Sequence, residues 1–258
     1  MISEKNRLNN YVLDLLEAVN HNLSAYKKDK DPESIHNLRV NIKKIKAVFS
    51  FAEKIYKEKH DTSLLMPLFK KAGKIREMQI NNRVLSAVPQ FPESLISELK
   101  MKEDILIRQF LKNTSLYKNQ IRDFREKASL SEKLPDKKTI IKYFEKESSK
   151  AKSILQNTDR EGMHRFRKKI KIIMYMYDVL PLSLQNKIDL NEAEINKQQK
   201  SVGVWHDTNA ILKFLSDEHP VETSEYILKL RTKEKRQFNL LLKNLSNWIQ
   251  QDKIASTT

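Results

Sequence analysis

Two segments of the sequence carry the same order of basic residues. Each begins with a histidine and has an arginine three positions later and a lysine seven positions later. These residues are His36, Arg39 and Lys43 in the first segment, and His164, Arg167 and Lys171 in the second. At about 100° per residue, such spacings place the basic side chains along one side of a helix. Arginine and lysine donate charge-assisted hydrogen bonds to phosphate oxygens. The pattern therefore favours binding of an anion.

Both segments lack the acidic residues that normally accompany cations on a solvated helix. Residues 36–46 contain four Lys or Arg residues and no Asp or Glu, and residues 164–171 contain five and none. Each segment also has an Arg–Lys pair four residues apart, and such a like-charge pair destabilises a helix by roughly a few tenths of a kcal/mol. A bound anion would explain this arrangement, and a solvated helix face is the alternative.

An apolar seam runs beside each row of cations. Its residues alternate in spacings of three and four, which is typical of a helix packed against its neighbours. Each cation follows a seam position by one residue, so the cations lie beside the buried face rather than opposite it. The two seams consist of Ile35, Leu38, Ile42, Ile45, Phe49 and Ala52, and of Met163, Phe166, Ile170, Ile173, Tyr177 and Leu180. The first basic stripe is His36, Arg39, Lys43 and Lys46; the second basic stripe is His164, Arg167 and Lys171, with Lys168 close by and Met174 in its last position.

The sequence predicts helices along the whole chain, and the predicted fold class is all-α. Glycine and proline together account for only 10 of 258 residues, which leaves few turns for a sandwich, a Rossmann fold or a TIM barrel. Asp31 and Pro32 predict the N-cap and first residue of the second helix. Eight helices are predicted: roughly residues 3–29, a second that begins at Pro32, a third from 62 to the high eighties, 93–127 with a break near Asn113, 137–157, 159–180, 184–218 and 221–251.

The charge of the chain indicates an anionic partner. Its net charge is +16, and it contains no cysteine, which excludes disulfides, thiolate zinc sites and cysteine nucleophiles. The amino-terminal residues lack a signal-peptide pattern and no apolar stretch is long enough to span a membrane, so we expect a cytoplasmic protein. Nucleic acid, anionic lipid and inorganic phosphate polymers all fit the charge.

The order of motifs predicts an internal duplication. His164 lies 128 residues after His36, and a second motif, Gly73 with Arg76 and Glu77, is matched 130 residues later. The matching residues are Gly203, His206 and Asp207. Glycine inside a helix predicts close approach of another helix, because it lowers helix stability by about 1 kcal/mol relative to alanine. The acids Glu77 and Asp207 either hold neighbouring basic side chains or are surface charges. The stripe histidines either pack as structural residues or also bind the ligand.

A capping box is predicted at the start of the sixth helix. Thr158 and Glu161 have the spacing at which a hydroxyl and a carboxylate satisfy the first backbone donors of a helix. The polar segment 129–136, which contains a proline, separates four predicted helices from the next four.

These motifs resemble the CHAD family, the conserved histidine α-helical domain, over nearly the whole chain. Two residues depart from the family pattern: Met174 stands where a basic residue is expected, and Glu77 replaces the more usual Asp. The resemblance implies two antiparallel four-helix bundles related by a pseudo-twofold axis, with repeats at 1–128 and 137–258 joined by a linker at 129–136. It implies a standalone module, because no Glu-x-Glu-x-Lys motif of a triphosphate tunnel domain starts the chain.

The resemblance also implies the ligand, which is long-chain inorganic polyphosphate bound at a basic surface or channel between the halves. It implies association with polyphosphate granules. Binding without catalysis, with no cofactor and no metal, is the expected function. The expected ligand-binding residues are His36, Arg39, Lys43, Lys44, Lys46, Arg76, His164, Arg167, Lys168, Lys171 and His206.

Two other functions fit part of this pattern. Nonspecific RNA binding fits the charge, but the stripes have no interleaved aromatic residues for base stacking and no nucleic-acid-binding motif appears. A metal-dependent phosphohydrolase would use His206 and Asp207 with His164 or His219, but cationic surroundings repel a metal ion. Weak RNA binding remains the alternative function.

Overall fold

The computed structural model describes residues 7–130, 133–156, 158–221 and 223–255, with the backbone alone described for residues 247–255. Some predicted positions lie outside these ranges. They are residues 3–6 of the first predicted helix, Ser131 and Glu132 of the predicted linker, Asn157 and Glu222.

The all-α fold class is confirmed. Ten α-helices and one short 3-10 helix, with no β-strand, form the regular structure of the described residues. In chain order these are α1 (Arg7–Asp29), α2 (Pro32–Ile55), the 3-10 helix (Ser63–Leu65), α3 (Met66–Ser86), α4 (Glu93–Lys112), α5 (Thr114–Lys127), α6 (Lys137–Leu155), α7 (Arg160–Val179), α8 (Leu182–Gln185), α9 (Glu192–Glu218) and α10 (Ser224–Ala255).

The chain divides into two compact units, Met1–Asp136 and Lys137–Thr258. In the first unit α1 packs on α2, α2 on α3, α3 on α4, and α5 on α1 and the 3-10 helix. In the second unit α6 packs on α7, α7 on α9, and α9 on α10. In each unit, therefore, the helix with a basic stripe packs against the helix with the Gly73 or Gly203 motif.

The predicted start of α2 is confirmed. The carboxylate of Asp31 accepts hydrogen bonds from the backbone N–H groups of Glu33 and Ser34 at 3.1 and 3.0 Å, and Pro32 is the first helical residue. Both predicted seams are also confirmed, because all twelve seam residues are buried. Burial of the seams fixes which way α2 and α7 face, so each basic stripe lies along the margin of a buried face.

The start of α9 differs from the prediction. The helix predicted from residue 184 begins at Glu192, where the side chain of Asn191 accepts a hydrogen bond from the N–H of Glu194 at 3.0 Å. The one-turn helix α8 comes before it. The break near Asn113 is present, between α4 and α5.

The predicted capping box is wrong. The N-cap of α7 is Asp159, whose Oδ1 accepts a hydrogen bond from the N–H of Gly162 at 2.7 Å. The Thr158 hydroxyl is buried, with no hydrogen-bond partner in the described part of the chain. Thr and Asp are both good N-cap residues, and the helix begins at the second of the two, which leaves Glu161 one position too early for the box.

None of the helices within the described ranges has the length and apolar character needed to cross a membrane.

Candidate anion-binding surfaces

The first basic stripe lies on α2, next to α3. Its histidine, Arg39 and Lys43 are half-buried, and Lys46 is exposed. Near the start of α3, the Lys46 ammonium is 3.8 Å from the sulfur of Met66 and 5.8 Å from the centre of the Phe69 ring. Lys44 is also half-buried, but it points about 100° further around α2 than Lys43 and away from the stripe.

Arg39 is held by α3 through three features of that helix. Its Nη1 donates a hydrogen bond to the backbone carbonyl of Phe69 at 2.6 Å, and its guanidinium carbon lies 4.4 Å from the centre of the Phe69 ring. A Cβ atom on Gly73 would be only 2.3 Å from the same Nη1. The glycine in α3 therefore makes room for the arginine side chain of α2, which is the close approach that its position in the helix predicted.

Charges on α3 act on Arg39 as well. Burial lowers the pKa of the Arg39 guanidinium, Glu77 opposes that shift, and the nearby Arg76 adds to it. The Nη1 of Arg76 lies 3.5 Å from the carbonyl oxygen of Pro32, at the first turn of α2. Glu77 thus supports the charge of Arg39, which agrees with the interpretation that the acid of this motif holds a basic side chain.

The second basic stripe lies on α7, next to α9. The rings of His164 on α7 and His206 on α9 are stacked, with centres 5.2 Å apart and planes 15° apart. Nδ1 of His206 is 3.5 Å from Oδ1 of Asp207. Sequence reasoning did not predict this pairing of imidazoles, because helical periodicity shows which face a residue occupies and not which residue it meets on a neighbouring helix.

Two cations of the second stripe, Arg167 and Lys171, share the influence of one carboxylate. Burial lowers the pKa of Arg167, and Asp207 opposes that shift. Burial and the charge of Arg167 lower the pKa of Lys171, and Asp207 again opposes the shift. Because a single acid acts on both cations, positive charge predominates here.

The His164 imidazole lies in surroundings that disfavour its charged form. Burial lowers its pKa, as do Lys168, His206 and Arg167, while Glu161 has the opposite effect. Lys168 is exposed beside it.

The arginines of the two stripes differ in their contacts. Nε of Arg167 is buried and has no hydrogen-bond partner within the described ranges, whereas Arg39 donates to α3. A Cβ atom on Gly203 would meet no atom within 4 Å. The predicted close approach at Gly203 is therefore wrong, and this glycine does not make room for Arg167.

The last position of the second stripe is closed to a ligand. Met174 is 5% exposed and belongs to the core. The place where the family pattern has a basic residue is thus buried, and the second stripe ends at Lys171.

An ion pair between the exposed Arg160 and the buried Glu234 joins the start of α7 to α9 and α10 in the second unit. Arg160 donates to both carboxylate oxygens of Glu234 at 2.9 and 2.8 Å, and the indole N–H of Trp205 donates to Glu234 Oε1 at 2.7 Å. Trp205 precedes His206, so this pair helps to fix α9 against α7. Sequence reasoning missed it, although Arg160 and Glu234 are each visible as charges in helical segments.

Among the predicted metal-site candidates, His164 stacks on His206 and Asp207 lies beside His206, but these described residues do not form a metal-binding group. His219 ends α9 and contacts the ring of Phe214, with centres 5.8 Å apart, while His206 faces α7. Among the described residues, no group of three or more His, Cys, Asp or Glu side chains is placed to share a metal ion.

Comparisons with known proteins agree on one family. The family model for the CHAD domain matches residues 10–216. The chain is also similar to the crystal structure of the CHAD domain from the plant Ricinus communis, with 14% identity, a TM-score of 0.66, and coverage of 93% of this chain and 91% of that one. No curated protein matches the sequence. The likeness to the plant domain shows a shared fold, and the family match covers both helix pairs described above.

Proposed function

This chain belongs to the CHAD domain family, which is associated in general with polyphosphate binding, and we propose that it binds inorganic polyphosphate through its two basic stripes. The binding residues of the first unit are His36, Arg39, Lys43, Lys46 and Arg76, with Lys44 at the margin. Those of the second unit are His164, Arg167, Lys168, Lys171 and His206.

The observation that carries the proposal is the shortage of acid beside clustered cations. Burial lowers the pKa of both Arg167 and Lys171, the charge of Arg167 lowers that of Lys171 further, and Asp207 is the carboxylate that opposes both shifts. A phosphate oxygen beside them would supply the missing negative charge and accept hydrogen bonds from both side chains. The free protein then carries an unfavourable arrangement that the ligand relieves.

A row of cations fits a phosphate polymer better than it fits a small ligand. Polyphosphate carries a repeated negative charge and has no base to stack on a ring or to be read by hydrogen bonds. The stripes offer repeated donors spaced along a helix. The aromatic rings of the adjacent seams, such as those of Phe49 and Phe166, are buried and give bases no platform to stack on. Repeated charge on the ligand therefore matches repeated charge on the protein.

Binding without catalysis is part of the proposal. Hydrolysis of a phosphoanhydride by a metal enzyme would require several ligands that converge on one ion, and His206 and Asp207 are not joined by such ligands in the described ranges. Phosphate release should therefore stay at the level of the buffer when the protein and Mg²⁺ or Mn²⁺ are incubated with polyphosphate. Release that scales with protein concentration would show an enzyme instead.

Calorimetric titration with polyphosphate of defined length, with RNA of equal phosphate content as the comparison, tests the proposal. Polyphosphate should bind and should displace RNA at a much lower phosphate concentration than RNA needs to displace polyphosphate. Equal competition between the two polymers would favour a nonspecific nucleic-acid binder, and no polyphosphate binding would refute the proposal. In cells that store the polymer, we expect a fluorescent fusion of the chain to co-localise with polyphosphate granules.

A further inference from the structure

The two units differ at one matched position in the glycine motif. Arg76 follows Gly73 by three residues, and His206 follows Gly203 by three residues. Both side chains act on the stripe helix of their own unit: Arg76 affects Arg39 and approaches the Pro32 carbonyl, and His206 stacks on His164. The first unit therefore has a permanent cation where the second has an imidazole, which can be neutral or charged near neutral pH.

We propose that the His164–His206 pair makes the second basic stripe a proton-linked anion site, so that polyphosphate binds there with uptake of protons, whereas Arg76 keeps a fixed charge in the first unit. This inference rests on the proposed function, because it needs an anion to bind at the second stripe.

The geometry of the pair disfavours two charged rings in the free protein. Parallel imidazoles 5.2 Å apart would place two positive charges face to face. Lys168 and Arg167 add further positive charge around His164, and burial lowers the pKa of this histidine. The acids close to the pair are Glu161, at the start of α7, and Asp207, beside His206.

The other two helices packed against α7 and α9 each direct a buried carboxylate to other partners. On α6, buried Glu147 pairs with Lys169 and Lys150. On α10, buried Glu234 pairs with Arg160 and accepts from Trp205. These two acids are therefore engaged by residues other than the stacked imidazoles, and a bound phosphate group can add negative charge beside the rings.

A bound phosphate chain would reverse the balance between neutral and charged rings. A protonated imidazole donates from both ring nitrogens, whereas a neutral one donates from a single nitrogen. An anion at the second stripe therefore favours protonation of the pair, and by linkage protonation favours the anion equally. Because the proton is favoured in the complex and disfavoured in the free protein, affinity must rise as pH falls through the range around and below 6.5.

Exchange of the matched residues provides the test. We would titrate wild-type protein, His206→Arg and Arg76→His with polyphosphate between pH 8 and pH 5.5, in buffers of different ionisation enthalpy, to count the protons taken up. His206→Arg should bind more tightly than wild type at pH 8 and should take up fewer protons. Arg76→His should bind more weakly at pH 8 and take up more. For each proton that is linked, affinity should change by up to about tenfold per pH unit.

A matched control separates this effect from a general change in charge. His21 is exposed on α1 and lies outside both stripes, so His21→Arg replaces the same residue type with the same added charge. It should leave the proton count of wild type unchanged. The terminal phosphates of the polymer also titrate near pH 6, but their contribution is common to every variant.

The possible outcomes separate this inference from the proposed function. Binding with identical proton uptake in wild type and His206→Arg would overturn the inference and leave polyphosphate binding intact. Absence of binding at every pH would overturn both. If His206→Arg does not fold, NMR of the wild-type imidazoles decides: both rings should titrate at higher pH with polyphosphate present, and an unchanged titration would overturn the inference.

Discussion

The guanidinium of Arg39 occupies the space beside Gly73 that a side chain at residue 73 would take. A Cβ atom there would lie 2.3 Å from Nη1 of Arg39, and that same nitrogen donates to the carbonyl of Phe69 one turn earlier in α3. Gly73 thus helps to position Arg39 of the first basic stripe. Gly203, its counterpart in sequence, has no atom within 4 Å of the equivalent point.

Alanine substitution of the two glycines should therefore change stability in opposite directions. Gly203→Ala should raise the free energy of unfolding by about 0.5–1 kcal/mol, because alanine is the better helix former and meets nothing. Gly73→Ala gains the same propensity but moves Arg39 off Phe69, and a hydrogen bond from a charged group contributes roughly 1.5–3 kcal/mol. We expect a net fall of about 1 kcal/mol. Urea denaturation measures both values, and an increase for both variants would show that Arg39 is not held in this way.

The sequence predicted the parts of this arrangement that depend on periodicity. All twelve seam residues are buried, and α2 begins at Pro32 behind its Asp31 cap. Both features follow from patterns within a single helix, namely the spacing of its apolar residues and its N-cap residue. The contact of Arg39 with Phe69 and the stacking of His164 on His206 were not predicted. Those contacts depend on the relative height and rotation of two packed helices, which the spacing of residues along one helix does not specify.

Local competition explains the errors at the helix starts. Thr158 and Asp159 are adjacent N-cap candidates, and only the geometry of the first turn decides that Asp159 is used. The helix predicted from residue 184 begins at Asn191 and Glu192, although the residues before it also form one helical turn. Such choices involve about 1 kcal/mol, which is small enough for tertiary packing to decide them.

The Arg160–Glu234 pair should contribute to stability in a manner that depends on pH. Burial alone would raise the pKa of Glu234, but hydrogen bonds from Arg160 and Trp205 outweigh burial and lower it below its usual 4.5. A carboxyl whose pKa is lowered by folding stabilises the fold at pH values above its pKa in the unfolded chain. This contribution is lost as pH falls below 4.5. Glu234→Gln should lower the free energy of unfolding at pH 7 by roughly 2–3 kcal/mol.

Denaturation of wild type and Glu234→Gln at pH 7 and between pH 5 and pH 3 checks this expectation. The difference between the two proteins should shrink as pH falls through that range. Glu225→Gln is the control, because Glu225 pairs with Lys229 at 2.6 Å in an exposed position and its loss should change stability little. A constant difference at all pH values would argue against an ionised Glu234.

Polyphosphate affinity should fall steeply as salt is added. By analogy with counterion release on nucleic acids, each phosphate contact should add nearly one unit to the slope of log affinity against log salt. Arg167→Ala/Lys171→Ala should reduce that slope by about two units. Arg231→Ala/Lys235→Ala removes the same two residue types, at the same spacing, from the exposed surface of α10, and it should keep the wild-type slope. Equal slopes for all three proteins would contradict contacts at the second stripe.

Polyphosphate should also stabilise the folded chain. A ligand that binds only the folded state adds about 2.7 kcal/mol at one hundred times its Kd, which corresponds to a rise in Tm of roughly 5–10 °C for a chain of this size. Thermal unfolding followed by circular dichroism measures the shift, with orthophosphate at equal phosphate concentration as the control. If polyphosphate and orthophosphate raise the Tm equally, the repeated charge of the polymer does not contribute to binding.

The affinity of a variant without both stripe pairs tests the central claim most directly. Arg39, Lys43, Arg167 and Lys171 would be changed together to Ala and compared with a variant that loses Arg108, Lys112, Arg231 and Lys235. These last four are exposed Arg–Lys pairs at the same spacing on α4 and α10, so net charge falls equally. Calorimetry should show at least a hundredfold loss of polyphosphate affinity for the stripe variant and only a few-fold loss for the control. Equal losses in two folded variants would show that polyphosphate responds to net charge and not to the stripes.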